Sequence, residues 1–414
     1  MTASDEYINV SAQTPKCHYY CIYIGFVVPE KMAYVHYNSF AGNEAEINFI
    51  KNVLSRFSFV CLSYTYNAFF QPKRFFRPIS YFNLDDNVGV RCIGAPSIKM
   101  PFFGKFFSMI AIKMLVGRIV KKIRASDSLA NINIITCNSY PLFSWPALKI
   151  SSKYNLPTVC YLIDGFYYEG KANLFRRINE RTAKTNLKKY KKVIALSENV
   201  LKDFCICRQR QIAITPVVFN ERTAEYQKLY LDKESFNIVF AGGIAPLNGI
   251  DLYCELSSFL EPGIKLHLFG KGELSSKLTD FSHMKDNIIY HGPIEHNELM
   301  EVEKDADILI IIRPTEDSKQ NAITKYGIPF KLIEYLQSGR PIVASYMEAV
   351  PECLQPYINV CEANVKDVNR MINAIKENYG SYLKKAIEAK EYMKKNCSWG
   401  IYSTVLEDFI RNEQ

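Results

Sequence analysis

The feature that most constrains this chain is its rhythm. From end to end, apolar runs of strand length alternate with amphipathic segments of helix length, the pattern of βα units that feed parallel sheets. In the first half, strands are expected at 19–28, 57–63, 88–94, 132–137, 158–163, 192–196 and 211–215. Helices are expected at 43–56, 101–124, 142–154, 174–190 and 198–205, the last capped by Ser197. A polar, aperiodic stretch at 220–235 follows, and then the alternation restarts. Strands are expected at 237–242, 265–269, 287–290, 307–312 and 341–344, helices near 248–260, 273–280, 295–301 and 330–338, and a helical tail at 365–379, 382–395 and 398–412. Strands apolar throughout require helices on both faces of the sheet. The expected fold class is therefore α/β, with two doubly wound domains facing each other across a cleft at the carboxyl ends of their strands, where such sheets bind ligands. The Phe-, Arg- and Pro-rich stretch 67–87 breaks the rhythm and is expected to be a loop reaching towards a ligand.

With 414 residues, 48% hydrophobic and 22% charged, the chain is long enough for two or three domains at about 100–200 residues each. No apolar run approaches the roughly 18 residues of a membrane span. Residues 1–16 carry Asp5 and Glu6 and no apolar core, so they do not read as a signal peptide, and the cytoplasm is the expected location. The twelve cysteines are scattered, which predicts reduced thiols. The close pairs Cys17/Cys21 and Cys205/Cys207 lack the paired spacing of a structural zinc site, so no metal is expected. His18, His36, His267, His283 and His296 show no ligand spacing and read as structural or solvated.

Charge divides unevenly. Residues 1–220 hold 29 Lys and Arg against 13 Asp and Glu, and the remainder 22 against 29, so the halves carry +16 and −7. Between 87 and 126 there is no acidic residue and eight basic ones, interleaved with Phe102, Phe103, Phe106 and Phe107. Over 99–124 this reads either as a helix lying in an anionic bilayer interface or as an ordinary core helix. No nucleic-acid-binding fold is recognisable, and nucleic acid is not an expected partner.

Three motifs carry chemistry in the second half. Gly242-Gly243 ends the first strand, so its backbone amides can meet an anion or simply make a tight turn. Gly270-Lys271-Gly272-Glu273 repeats the device with a movable cation. The densest is Gly-Ile-Pro-Phe-Lys-Leu-Ile-Glu-Tyr-Leu-Gln-Ser-Gly-Arg-Pro-Ile-Val at 327–343. It places Lys331 and Glu334 on one face near a helix start, where a carboxylate can accept two vicinal sugar hydroxyls and a cation can meet phosphate. A surface Lys–Glu pair is the plainer alternative.

Here the chain resembles the retaining glycosyltransferases of the GT-B fold, in the large family often numbered four, the glycosyl transferases of group 1. The resemblance spans most of the chain and is strongest from 237 to 343. It rests on Val-Phe-Ala-Gly-Gly, on Leu-Phe-Gly-Lys-Gly-Glu at 268–273, on His291-Gly292, on Ala306-Asp307, on Pro-x-Lys-x-x-Glu-Tyr and on Ser-Gly-Arg-Pro-Ile-Val. It implies two Rossmann-like domains: an acceptor-side domain at 1–220, a linker at 221–236, a nucleotide-sugar domain at 237–395 and a last helix, 396–414, crossing back to the first domain. It implies a UDP-sugar donor held by Gly242, Gly243, Gly270, Lys271, His291, Gly292, Lys331, Leu332 and Glu334, with Glu334 on the ribose at the rim of its domain. Gly42, Asn43 and Asp164 fall on the acceptor side. Asp164, beside Lys331 and Glu334 in the reaction, would orient or deprotonate the acceptor hydroxyl. Helix capping by Asn43 and a turn at Asp164-Gly165 are the plainer readings.

The implied acceptor is a glycan or lipid-linked glycan in surface polysaccharide assembly, with peripheral attachment to the inner face of the plasma membrane. No cofactor or metal is implied. Two departures bear on activity. Tyr326 stands where the family commonly has a Glu eight positions before the ribose-binding one, and Ala245-Pro246-Leu247-Asn248 lacks the Arg and Lys that usually grip the diphosphate. Lys331, Lys271, Lys325 or Arg313 replaces them, or turnover is lost. A sugar-nucleotide epimerase and a silent nucleotide-sugar-binding subunit are therefore the alternatives.

Overall fold

The run Tyr-Tyr-Cys-Ile-Tyr-Ile-Gly forms β1 (Tyr19–Gly25), near the centre of an eight-stranded sheet. The computed structural model describes residues 18–29, 32, 40–64, 75–84, 90–100, 103–163, 174–216, 230–314 and 323–412. The chain divides into two units, Met1–Thr215 with Trp399–Gln414, and Pro216–Ser398.

In the first unit, β1 is followed by β2 (Ser58–Ser63), β3 (Phe76–Arg77), β4 (Ser80–Asn83), β5 (Arg91–Gly94), β6 (Ser97–Ile98), β7 (Asn131–Cys137), β8 (Thr158–Leu162), β9 (Lys192–Ala195) and β10 (Arg210–Ala213). The sheet order is β10-β9-β8-β7-β1-β2-β5-β4, parallel except that β4 runs antiparallel to β5. Ile22 pairs with Ile134 on one side and Val60 on the other. The chain order reverses between β7 and β1, the switch point at which doubly wound sheets open a ligand site. Part of the stretch 67–87 is not the loop expected: β3 pairs with β6, and β4 extends the main sheet, because Tyr81 and Phe82 prolong an existing edge.

The helices of this unit are α1 (Phe40–Asn52), α2 (Phe103–Ser126), α3 (Pro141–Tyr154), α4 (Leu174–Leu187), α5 (Glu198–Phe204) and, from the end of the chain, α12 (Trp399–Arg411). Helix α2 buries one narrow stripe, Gly104, Ser108, Ile112, Val116, Val120 and Ile123, against the sheet. Residues three and four apart share a helix face, so one stripe suffices to dock it.

Helix α12 is anchored by polar contacts as well as by its buried Leu406 and Ile410. Lys192 Nζ donates to the Ile410 carbonyl at 2.7 Å, and Glu407 accepts from Arg56 and Arg411, each at 2.9 Å. The Arg411 guanidinium covers the rings of Tyr19 and Phe57 at 4.5 and 4.7 Å.

The second unit holds a wholly parallel sheet. Its strands are β11 (Phe236–Ala241), β12 (Ile264–Phe269), β13 (Ile288–Gly292), β14 (Ile308–Ile311), β15 (Ile342–Ser345) and β16 (Asn359–Cys361), in the order β13-β12-β11-β14-β15-β16. Its helices are α6 (Ile250–Leu256), α7 (Ser275–Ser282), α8 (His296–Asp305), α9 (Phe330–Ser338), α10 (Val365–Glu377) and α11 (Tyr379–Asn396). Ile238, Phe240, Leu266, Leu268, Ile308 and Ile310 form the core with Val368, Ile372 and Ile375 of α10. Here the switch point lies between β11 and β14.

Ile410 is fully buried in the first unit, so Ile410→Ala should cost about 2–4 kcal/mol. A fall in the chemical-denaturation midpoint at constant slope would show it, and an unchanged midpoint would contradict the packing of α12.

Candidate functional site

The carboxyl ends of β11, β12 and β13 carry the glycine motifs, and their backbones touch. A Cβ on Gly270, whose φ is +131°, would lie 1.8 Å from the Gly242 carbonyl oxygen, and one on Gly272 would lie 2.2 Å from that of Ile244. Only glycine lets the turns after β11 and β12 stack this closely. The Gly270 amide donates to the Gly292 carbonyl at 2.9 Å, bringing in the third turn.

With Gly270, three amides of the glycine motifs are already engaged. The Gly242 amide donates to the Phe269 carbonyl at 3.0 Å, and the Gly272 amide to Ser275 Oγ at 2.9 Å. Gly243 is exposed, its carbonyl accepts from Asn248 Nδ2 at 2.8 Å, and its amide makes no hydrogen bond among the described residues. Lys271 is exposed on the neighbouring turn. The helix expected over 248–260 is shorter, a 3-10 turn at Pro246–Asn248 followed by α6, because Gly249 breaks the run with φ +73°.

Helix α9 begins after the extended Pro329. Its Lys331 ammonium sits between two carboxylates, those of Glu334 in the same helix and of Glu303 in α8, the latter at 3.1 Å. Glu334 is only 7% exposed, so this is no surface pair, and it lies deeper than the rim position expected. Burial raises the Glu303 carboxyl to about pKa 7 despite the nearby ammonium. Burial alone would lower the Lys331 pKa, but the two carboxylates outweigh it and hold the pKa above its ordinary value. Lys331 is therefore tied down rather than standing free for phosphate.

Leu332 requires correction as a donor contact: its side chain is fully buried and its amide donates to the Pro329 carbonyl. The next aromatic, Tyr335, is also fully buried, and its hydroxyl accepts from the Ala241 amide at 2.9 Å. This bond ties α9 to the strand that ends in Gly242. Lys325 lies over the Tyr326 ring at 5.2 Å, and the Arg313 amide donates to Ser345 Oγ. The motif residue Arg340 hydrogen-bonds the Lys304 carbonyl at the end of α8, and Asp307 accepts from the Asn237 amide at 2.7 Å. Both serve the scaffold.

His291, a donor residue by the resemblance, and His267, whose spacing gave no signal, meet across the β12–β13 register at 3.0 Å, and His267 also contacts Asn237 Oδ1. The His291 ring stacks on Phe269 at 4.4 Å and 4°. Burial, with His291 second, lowers the His267 pKa to about 3.

In the first unit, Asn43 is no helix cap. It lies inside α1, which begins at Phe40, and is 1% exposed; it accepts from the Val28 amide at 2.9 Å and donates to the Val28 carbonyl at 3.1 Å. Three residues on, buried Glu46 accepts from Tyr23 Oη at 2.8 Å and from the Phe26 amide at 3.0 Å, with its carboxyl raised to about pKa 7 by burial. Sequence reasoning missed Glu46; an Asn-x-x-Glu pair on one face of the helix after the first strand was the available signal. Gly42 sits in the same first turn, partly buried.

Asp164 lies outside the described residues, but the strand end before it is held. Asn138, at φ +59°, accepts from the Ile163 amide at 2.9 Å, joining the ends of β7 and β8. Ser197 occupies the N-cap position of α5 in extended conformation, yet its buried hydroxyl makes no capping bond.

Residues 235–380 match the family described as Glycosyl transferases group 1. The whole chain has the GT-B fold. Anabaena HepE, solved in complex with UDP, superposes with a TM-score of 0.65 at 11% identity, over 94% of this chain and 99% of its own. WaaG, a glycosyltransferase involved in lipopolysaccharide biosynthesis, gives 0.60 at 13% over 95% and 99%. The lipopolysaccharide outer core galactosyltransferase WaaB gives 0.59 at 13% over 94% and 99%. At these identities the likeness is one of fold. No curated protein matches the chain at a significant level.

Because His267 stays neutral in the folded second unit while an unfolded histidine titrates near 6.5, its contribution to stability is complete above about pH 6.5. It is lost as pH falls towards 3, by up to about 1.4 kcal/mol per unit. Denaturation midpoints of wild type and His267→Gln should therefore converge on acidification across that window; parallel curves would contradict the assignment.

Proposed function

We propose that the chain transfers a sugar from a UDP-sugar to a hydroxyl of a glycan or lipid-linked glycan in surface polysaccharide assembly, retaining the anomeric configuration. The observation that carries this reading is the Tyr335–Ala241 bond, which ties the helix of Glu334 to β11, the strand at the switch point of the second unit that ends in the stacked glycine turns. The solved relatives favour the donor class: HepE was crystallised with UDP and glucose.

Glu334 receives the two ribose hydroxyls, which replace the Lys331 ammonium while that ammonium stays on Glu303. The exposed Gly243 amide and Lys271 meet the charge that develops on the departing diphosphate. His291 and Gly292 border the base. The sugar passes to the acceptor on the face the diphosphate leaves, with no side-chain nucleophile. Asp164 orients the acceptor hydroxyl and takes its proton. Neither metal nor cofactor enters this scheme.

At a UDP concentration of 100 Kd the wild type should gain about 2.7 kcal/mol, seen as a rise in Tm, and both Glu334→Ala and Glu334→Gln should lose it. An undiminished rise in Glu334→Ala would overturn the site. Lys271→Ala should lower kcat by about 10²-fold with a smaller effect on the UDP shift. Nuclear magnetic resonance of the product should show the donor's anomeric configuration. Conversion of UDP-sugar without any acceptor would instead mark an epimerase, and binding without consumption a silent subunit.

A further inference from the structure

A line of three polar side chains crosses the sheet of the second unit, and only its last member enters the transfer scheme. Asn237 lies near the amino end of β11, His267 in the middle of β12 and His291 near the carboxyl end of β13, each two register positions beyond the one before. Asn237 and His267 are buried. Strand positions in a parallel sheet covered on both faces ordinarily hold Val, Ile or Leu, and a buried polar group is costly unless it is hydrogen-bonded. His291 joins the line through a β-bulge: Leu268 pairs with Tyr290 and Phe269 with Gly292, so His291 is the extra residue.

The direction of every hydrogen bond in this line follows from its first member. Asn237 Nδ2 lies 2.7 Å from the Asp232 carbonyl and 2.9 Å from the Ser235 carbonyl. Carbonyls only accept, so the amide donates both hydrogens there and Oδ1 is the atom that faces His267. The turn that supplies the two carbonyls is itself fixed, because the Asp232 carboxylate accepts from the Glu234 amide, Ser235 Oγ and Lys265 Nζ.

Oδ1 also only accepts, so His267 Nε2, at 3.0 Å, carries a hydrogen. Burial first, then His291 and Lys265, keep His267 neutral against the pull of Asp232. A neutral imidazole has one N–H, which leaves His267 Nδ1 as an acceptor. The hydrogen in its 3.0 Å contact with His291 Nε2 therefore belongs to His291. The His291 ring is held flat on Phe269 and nearly parallel to His267, with the Tyr230 ring set edgewise to it at 5.6 Å.

We propose that Asn237 and His267 are positioning residues for nucleotide binding, which fix His291 as the Nε2–H tautomer with its ring immobilised on Phe269, beside the turn at Gly292. The role rests on the reading in which His291 borders the base. A histidine without such a chain exchanges between tautomers and ring orientations, and ordering it on binding costs affinity. Here the ordering is complete before the nucleotide arrives, and it begins at backbone carbonyls on the far side of the sheet.

Selective nitrogen-15 labelling of histidine tests this in the wild type, with the two signals identified from His267→Gln and His291→Gln. Near neutral pH, His267 should show a protonated Nε2 and an unprotonated Nδ1, and His291 a protonated Nε2. His267→Phe should free the His291 ring and raise both the Kd for UDP and the KM for the UDP-sugar roughly threefold to tenfold, with kcat unchanged. His267→Gln, whose amide can accept from His291 and donate to Asn237, should restore both to within about twofold of wild type. The wild-type spectra decide the tautomers even where His267→Phe unfolds. Hydrogen on His267 Nδ1, an unprotonated His291 Nε2, or a folded His267→Phe with unaltered Kd would overturn this inference alone. Absence of UDP binding by the wild type would overturn the transfer reading and this role with it.

Discussion

One ammonium group between two buried carboxylates fixes the chemistry of the second unit. Lys331 holds Glu303 and Glu334 together, and with them α8 and α9. A buried ion cluster is costly to desolvate, and removing one partner typically costs about 3–5 kcal/mol because a charge is left uncompensated. An arrangement so dependent on each member contributes positional certainty more than stability. Tyr335, the residue after Glu334, passes that certainty on, since its hydroxyl fixes the end of β11 and hence the first glycine turn. The Glu334 carboxylate and the first glycine turn are thus tied through a single short helix.

The first unit uses neutral and titratable groups for the same purpose. Asn43 reads both polar atoms of the Val28 peptide, and Glu46 accepts from Tyr23 and Phe26. Asn138 closes the gap between β7 and β8. All three act where the strand order reverses. Backbone leaving a sheet there loses its ladder partners, and buried peptide groups need replacements. Side-chain amides and carboxylates supply them while leaving the loop conformation specific.

The alternation of strands and helices was legible because it repeats a local rule: an apolar run must be covered on both faces, whatever the neighbouring elements are. Helix 330–338 was legible to the residue, with Pro329 before it and Gly339 after it. The pairings that finish the site were not. Glu303 is 28 residues from Lys331, His267 is 24 from His291, and Glu46 faces a strand 20 residues upstream. Nothing in local spacing separates such partners from solvated residues. The same limit explains Asn43, whose position near a helix start suggests a cap until the helix is seen to begin at Phe40. Leu332 failed differently: inclusion in a binding motif does not make every member a contact, and an apolar residue on the packed face of a helix serves the core.

The charge asymmetry takes on meaning once mapped onto the fold. The second unit has a net negative sequence, and its Lys331 is held by two carboxylates, so the groups it leaves exposed to an anion at the glycine turns are the Gly243 amide and Lys271. Backbone dipoles cost no desolvation of a mobile charge and are fixed before the ligand arrives. The first unit carries the surplus of cations, and on α2 and α4 it displays them beside side chains that water solvates poorly. The two helix starts sit at the carboxyl ends of the strands, the same end at which Asn43, Glu46 and Asn138 hold the backbone in place.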